Sequence, residues 1–361
     1  MKIGLALAAI CMLFGLLGAP SVPAQELGEA RQGFFEMAKK YEIQAQEPAP
    51  AWALRRDMPL FRLAWLSDTH VENAASREAL RGILTQIREE IQPLAVLFTG
   101  DNWGWGKTGP QRQWAFRQFL EETLGEELPA VVLPGDNWPQ GFEEVFGASK
   151  FAFSLGGFRF IAAAPDAAGS ANGCSLHDPE TLQWLKAELE AAGERPVIYL
   201  QHEPVQPPST LDAPKVAALL DRTPQVFLAL GGHFHLNLEF ARGHWRQWIA
   251  PSTGRSHRPA FKVLSFYSDC VISQDWEEDG EGTYRPVSKF LRAIVPPRLR
   301  EGLHPVRAFQ REELSQLPPA PLRKEPELDA HAPELTRTLM AFALRYALQQ
   351  RQAAPKPQPQ P

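Results

Sequence analysis

Asp68-Thr69-His70 and Gly232-His233-Phe234-His235 stand far apart in this chain, and each follows an apolar run of the kind that makes a buried strand. Between them, Gly100-Asp101 follows Leu94 to Thr99, Gly135-Asp136-Asn137 follows Val131 to Pro134, and His202 follows Val197 to Gln201. Carboxylates mixed with imidazoles suit zinc, manganese or iron, whereas an all-oxygen set would suit magnesium or calcium and thiolates would suit structural zinc. Each residue also has a plainer reading taken singly. Asp101 and Asp136 have the type that caps helices and turns, and a lone His202 after a strand is most often a hydrogen-bonded core histidine. Only their joint arrangement points to a metal centre.

The elements that must position them alternate between strand and helix. Leu80, Ile83, Ile87 and Ile91 stripe one helix, and Leu182, Leu185 and Leu189 stripe another that starts at Asp178-Pro179, a cap followed by proline in the first turn. Residues 150–155, 158–163, 238–240 and 262–267 read as further strands, some antiparallel. Open α/β sheets place ligand groups on loops beyond the carboxyl ends of their strands, so five such ends would converge at one edge.

In this order, Asp-x-His, Gly-Asp, Gly-Asp-Asn where the usual word is Gly-Asn-His, a lone His and Gly-His-x-His resemble the motifs of the calcineurin-like metallophosphoesterases, over roughly residues 60 to 275. The resemblance implies an α/β fold of two mixed β-sheets packed as a sandwich flanked by helices, occupying residues 59–294. It also implies two metal ions, with iron, manganese or zinc the expected identities. Asp68, His70 and His235 would hold one ion and His202 and His233 the other. Asp101 would bridge both, and Asp136 would fill the slot of the asparagine ligand. The implied reaction is hydrolysis of phosphoesters by metal-bound hydroxide, with Asp101 and Asn137 as catalytic residues.

Gly135-Asp136-Asn137 departs from the family pattern twice. The neutral ligand becomes a carboxylate, and the adjacent histidine becomes Asn137, which cannot carry a proton at neutral pH. Three carboxylates, two divalent ions and one hydroxide leave no net charge, where the asparagine ligand would leave one positive charge. Attraction for a phosphate dianion should fall, so phosphodiesters or esters with good leaving groups are the expected substrates, unless a trivalent ion restores the charge. A one-residue shift, with Asn137 as ligand and Trp138 in the histidine slot, is the alternative register. The competing functional reading is a catalytically impaired binding or scaffold protein on the same fold.

Asn137, Trp138 and Trp103 are the candidate substrate contacts, the tryptophans by stacking on a base, sugar or aryl group; Trp105 has the same option, and core packing is as good a reading. His244 and His257, near Arg255 and Arg258, could replace the missing histidine, although a structural or solvated role is the plainer assignment.

Met1-Lys2, an apolar stretch over residues 3–19 and Pro20 to Ala24 read as a signal peptide over 1–24, hence export to the periplasm or secretion, with an uncleaved anchor as the alternative. Loss of Lys2 with that leader takes the net charge from −5 to −6. A mildly acidic chain without a basic block argues for a small phosphoester substrate and against a nucleic-acid polymer, and no second apolar run approaches the ~20 residues of a membrane span. Cys174 and Cys270 would remain as an even pair, with a bridge and two separate thiols equally open. Residues 25–58 read as an N-terminal helical extension striped by Ala30, Phe34, Met37 and Tyr41 and broken at Pro48. A proline-rich linker over 295–333 precedes a C-terminal helix at 334–352, whose Leu335, Leu339, Phe342 and Tyr346 could dock on the body or form a homodimer, and residues 353–361 read as a disordered tail.

Overall fold

The computed structural model describes residues 35–125, 127–165, 167–169, 174–206, 209–210, 212–255 and 258–307. The expected leader, the C-terminal helix and the tail lie outside the described residues, as does His257.

Short runs rich in Val, Ile, Leu and Phe form the strands: β1 (Phe61–Leu66), β2 (Ala95–Phe98), β3 (Ala130–Val132), β4 (Lys150–Leu155), β5 (Phe158–Ala163), β6 (Ala167–Gly169), β7 (Cys174–Leu176), β8 (Val197–Leu200), β9 (Val226–Gly231), β10 (Leu238–Arg242), β11 (Trp245–Ile249), β12 (Ala260–Phe266), β13 (Cys270–Glu278) and β14 (Tyr284–Ile294). One six-stranded sheet has the order β14-β13-β12-β1-β2-β3 and the other β10-β11-β9-β8-β5-β4; β6 and β7 form a separate ribbon. Neighbours β1, β2 and β3 run parallel in the first sheet, as do β5, β8, β9 and β11 in the second. The remaining pairs are antiparallel. Both sheets are mixed, and helices flank the pair.

The sheets pack face to face through a core that includes Trp65, Leu97, Phe160, Leu228, Trp248 and Leu264. Helices cover the outer faces. Leu80 and Ile83 of α1 (Ala74–Gln86) and Phe116 and Leu120 of α2 (Gly109–Leu124) pack on Leu66, Val96 and Phe98. Beyond α1 the chain widens into a π-helical turn, Ile87–Ile91, so the expected stripe continues there with altered pitch. A short α3 (Phe142–Phe146) leads into β4. Leu185 and Leu189 of α4 (Pro179–Ala191) and Val216 and Leu220 of α5 (Ala213–Arg222) pack on Ile161, Tyr199 and Ala229. Asp178 is the N-cap residue of α4 and Pro179 its first residue, where the missing N–H costs nothing. Among the described residues no helix is long and apolar enough to cross a membrane.

Two expectations about the periphery need correction, and a question left open there is narrowed. The N-terminal extension is helical only over residues 35–39 of its described part. From there it becomes a strap, because the N–H groups of Ile43 and Gln46 donate to the carbonyls of Asn237 (2.8 Å) and Ser288 (2.8 Å) and leave the helical register. Residues 295–307, expected as the start of a linker, pack on the body: Leu299 is fully buried and Val306 N–H donates to the Leu60 carbonyl at 3.0 Å. Cys270 is a free, buried thiol beside Arg55 Nη1 at 3.2 Å.

The two sheets are also tied by a buried polar triad. Lys262 of β12 has no exposed surface; its Nζ contacts Asp275 of β13 and donates to Asn237 Oδ1 at 2.8 Å, while Asn237 Nδ2 donates to Asp275. Removing one partner of such a pair strands a charge. Lys262→Met is expected to lower unfolding free energy by about 3–5 kcal/mol in denaturant titration, with Lys262→Met/Asp275→Leu recovering much of that loss. Equal stability of the single and double variants would sink this account.

Candidate metal centre

Strand polarity gathers the site. The carboxyl ends of β1, β2 and β3 in one sheet and of β8 and β9 in the other point to a common edge, and the turns beyond them carry Asp68 and His70, Asp101, Asp136, His202, and His233 and His235. The turns are tight. Among the described residues seven non-glycine residues have positive φ, and six belong here: Asp68 (53°), His70 (43°), Asp101 (52°), Trp138 (57°), His233 (70°) and His235 (56°). Such backbone is disfavoured for side-chain-bearing residues and persists where surrounding bonds over-determine it. The glycines beside the ligands answer a spatial need: a Cβ on Gly100 would run into the His202 ring, and one on Gly232 into Ser67 and the Asp68 carboxylate.

The structure brings all seven expected ligands together. Donor atoms of Asp68, His70 and His235 lie within 4.8 Å of one another, as do those of Asp136, His202 and His233, and those of Asp68, Asp101 and His202. Asp68 Oδ1 is 3.2 Å from His235 Nε2 and 3.8 Å from both His70 Nε2 and His202 Nε2. Asp136 Oδ1 is 3.0 Å from His233 Nδ1 and 3.3 Å from His202 Nε2. Asp101 spans the two halves, with Oδ1 3.5 Å from His202 Nε2 and Oδ2 3.6 Å from His70 Nε2.

Asp136, not Asn137, joins this cluster, so the geometry follows the direct register. Asn137 turns to the bridging position instead: its backbone N–H donates to Asp101 Oδ1 (2.9 Å) and its Nδ2 to Asp101 Oδ2 (2.5 Å). Trp138 is half-buried with its ring edge against His70, centroids 5.5 Å apart. Trp103 needs correction as a substrate contact. It is 4% exposed and packs on Phe116 and Phe119 beneath α2, because its strand-like pairing with Val71 turns the ring into the helix layer. His244 is exposed and bonds the Thr223 carbonyl at 3.1 Å, as a structural surface histidine would.

The donor set fits cations. Asp68 Oδ1 and His202 Nε2 are buried without a hydrogen-bond partner, an arrangement that native proteins rarely leave uncompensated. His202 Nδ1–H donates to the Thr99 carbonyl at 2.7 Å, which fixes the tautomer and leaves the Nε2 lone pair facing the carboxylates. His70 Nε2 and His235 Nε2 lie 3.1 Å apart, within reach of one ion. Burial opposes ionisation of Asp68 and Asp136, but the facing imidazoles outweigh it and hold both carboxyls well below the usual carboxylate range. Burial likewise opposes charge on His202 and His233, yet Asp101 and Asp68 raise the first and Asp136 the second.

Sequence reasoning passed over the supports. Ser67 Oγ donates to Asp68 Oδ2 (2.6 Å), the His233 N–H donates to the same oxygen (3.0 Å), and Ser252 Oγ donates to the Asp68 carbonyl (2.7 Å). Glu203, next to His202, is 1% exposed with one carboxylate oxygen lacking a hydrogen-bond partner; burial, with Asp136 adding to it, raises its pKa against the pull of His202. Adjacency to a ligand was the available signal for Ser67 and Glu203.

Two mixed sheets flanked by helices, with acidic and imidazole donors at their common carboxyl edge, define a metallo-dependent phosphatase-like fold. Residues 61–237 match the family model described as calcineurin-like phosphoesterase, and the three donor groups that could hold a metal ion lie within that span. Solved structures similar to it include a dimetal phosphatase from Danio rerio, at 16% identity over 66% of this chain and 100% of that chain, TM-score 0.49. GAP50, the anchor in the inner membrane complex of Plasmodium, is similar at 15% identity over 72% and 95%, TM-score 0.47. Vacuolar protein sorting 29 from Cryptosporidium parvum is similar at 11% identity over 65% and 98%, TM-score 0.36. No curated protein matched the chain.

Proposed function

We propose that the chain is a dinuclear-metal phosphoesterase that favours phosphodiesters or esters with good leaving groups over ordinary phosphomonoesters. Asp68, His70 and His235 would hold one ion and Asp136, His202 and His233 the other, with Asp101 between them; iron, manganese or zinc suits this mixture of carboxylate and imidazole. When bound, such a pair lowers the pKa of water and offsets charge on the phosphoryl oxygens. The protein's own part is to fix the donors on turns from two packed sheets and to keep most of them out of solvent.

One observation carries the preference. Asp136 adds a third carboxylate at the ligand edge, and Asn137, in the slot of the family's histidine, spends its amide on Asp101. An amide cannot deliver a proton to a departing alkoxide, and general-acid assistance is worth about 10²–10⁴-fold. The added negative charge disfavours a dianionic monoester more than a monoanionic diester.

Turnover of bis(4-nitrophenyl) phosphate against 4-nitrophenyl phosphate, with each metal supplied in turn, tests the reading. The diester should be preferred, and Asn137→His should raise monoester turnover relative to diester turnover by about tenfold or more. A monoester preference in the wild-type protein loaded with two divalent ions would exclude it. Binding of two ions with no hydrolysis of either ester would instead identify a binding or scaffold protein. For localisation, the proposal remains export under the leader at residues 1–24.

A further inference from the structure

The ligands are not equally accessible. The side chains of Asp68, His70, Asp101, Asp136 and His202 are at most 3% exposed and that of His233 is 8%, whereas His235 is 32% exposed. Among the ligands, His235 is therefore the one a molecule from solution meets first. On that side lies a cavity of about 600 Å³ with His235 in its wall, inside the ~300–1,000 Å³ span of small-molecule sites. Its volume leaves room for an organic group as well as a phosphoryl group.

Three separated stretches build it: the N-terminal strap, the loop carrying His235, and the β12–β14 part of the first sheet. Phe35, in the helical turn that precedes the strap, meets Phe234 edge to face, centroids 5.6 Å apart, and with Leu236 they give the cavity an apolar side. The charges on the other side are mostly spent. Lys39 pairs with Glu36 at 2.9 Å, Lys289 with Glu277, and Asp275 with the buried Lys262. Glu42 turns one oxygen to the Asn237 N–H at 3.5 Å. Arg258, exposed at the rim, has no ion pair or hydrogen bond among the described residues.

We propose that this cavity receives the organic part of the substrate, that its Phe35–Phe234 side takes an apolar or aryl body, and that Arg258 reads a second anionic group, carboxylate or phosphate, on that body. The inference rests on the phosphoesterase reading of the adjoining centre. A guanidinium forms paired hydrogen bonds to either anion, so the class is an aryl or similarly apolar phosphoester with an additional negative charge.

The test uses two diesters with the same 4-nitrophenolate leaving group, one carrying phenyl and the other 4-carboxyphenyl as the retained group. It is paired with calorimetric binding of the non-hydrolysable phenylphosphonate and 4-carboxyphenylphosphonate. Wild-type protein should favour the carboxylated member of each pair by about tenfold, and Arg258→Ala should bring both ratios to about one. Phe35→Ala should reduce the preference for the phenyl diester over its methyl counterpart. Ratios of about one in the wild type, or unchanged in Arg258→Ala, overturn the pocket assignment. Arg258-dependent phosphonate binding without hydrolysis of either diester would uphold the pocket while removing the enzymatic reading.

Discussion

Asp101→Asn should reduce phosphoester turnover by about 10³-fold while leaving a cooperatively folded chain, since removal of one preorganised electrostatic group costs on this order. The expectation follows from where its two oxygens point: Oδ1 faces His202 and Oδ2 faces His70, so a single carboxylate serves both halves of the cluster. An asparagine offers one oxygen and presents N–H to the other half. It also deprives Asn137 of one of its two acceptors. The checks are kcat/KM on an aryl diester, bound metal per chain, and a thermal melt. Retention of more than a tenth of wild-type activity would remove Asp101 from the bridging role.

Chelation of the metal-loaded protein should abolish hydrolysis and lower Tm by roughly 10 °C, because a ligand at about 1,000 times its Kd stabilises the native state by about 4 kcal/mol. The effect should depend on pH with a definite sign. In the metal-free state the pKa values of His202 and His233 are raised, against burial, by the carboxylates they face. Their protonation therefore stabilises the metal-free fold at low pH, and that contribution fades as pH rises through the raised values. Cations need the neutral rings, so affinity strengthens over the same interval. The gap in Tm between loaded and chelated protein should thus widen from acid to mildly alkaline pH. A gap that is constant or narrows would show that these imidazoles do not exchange protons for metal.

The gathering of these seven side chains could be read from sequence because each ends an apolar run, and strand polarity alone sends such ends to one edge. The sequence left two registers open at Asp136 and Asn137, and the attachment of Asn137 to Asp101 could not be read at all: nothing in a linear word says which way an amide turns. Trp103 misled because nearness to Asp101 in sequence resembles nearness in space, while the Val71 pairing sends its ring the opposite way. Lys262 defeated the pattern altogether. A lysine within a strand reads as solvent-facing, and its partners Asp275 and Asn237 come from the adjacent strand β13 and from a loop of the other sheet, respectively. The strap was read as helix from its apolar spacing, but hydrogen-bond partners more than 190 residues away decide its path.

Asp68 has two employments that can be separated. Its carboxylate oxygen Oδ2 and its carbonyl fasten the β1 turn to the β9 and Ser252 loops, while only Oδ1 is left over for an ion. A descendant of this chain that had abandoned chemistry would still be under pressure to keep that aspartate, simply to close the sandwich. The His70 ring has no such second occupation: its Nδ1 has no hydrogen-bond partner and its Nε2 faces only the cluster. In any pseudoenzyme arising from this scaffold, decay should therefore register first at the imidazoles, and a surviving Asp68 would say little about whether the molecule still works.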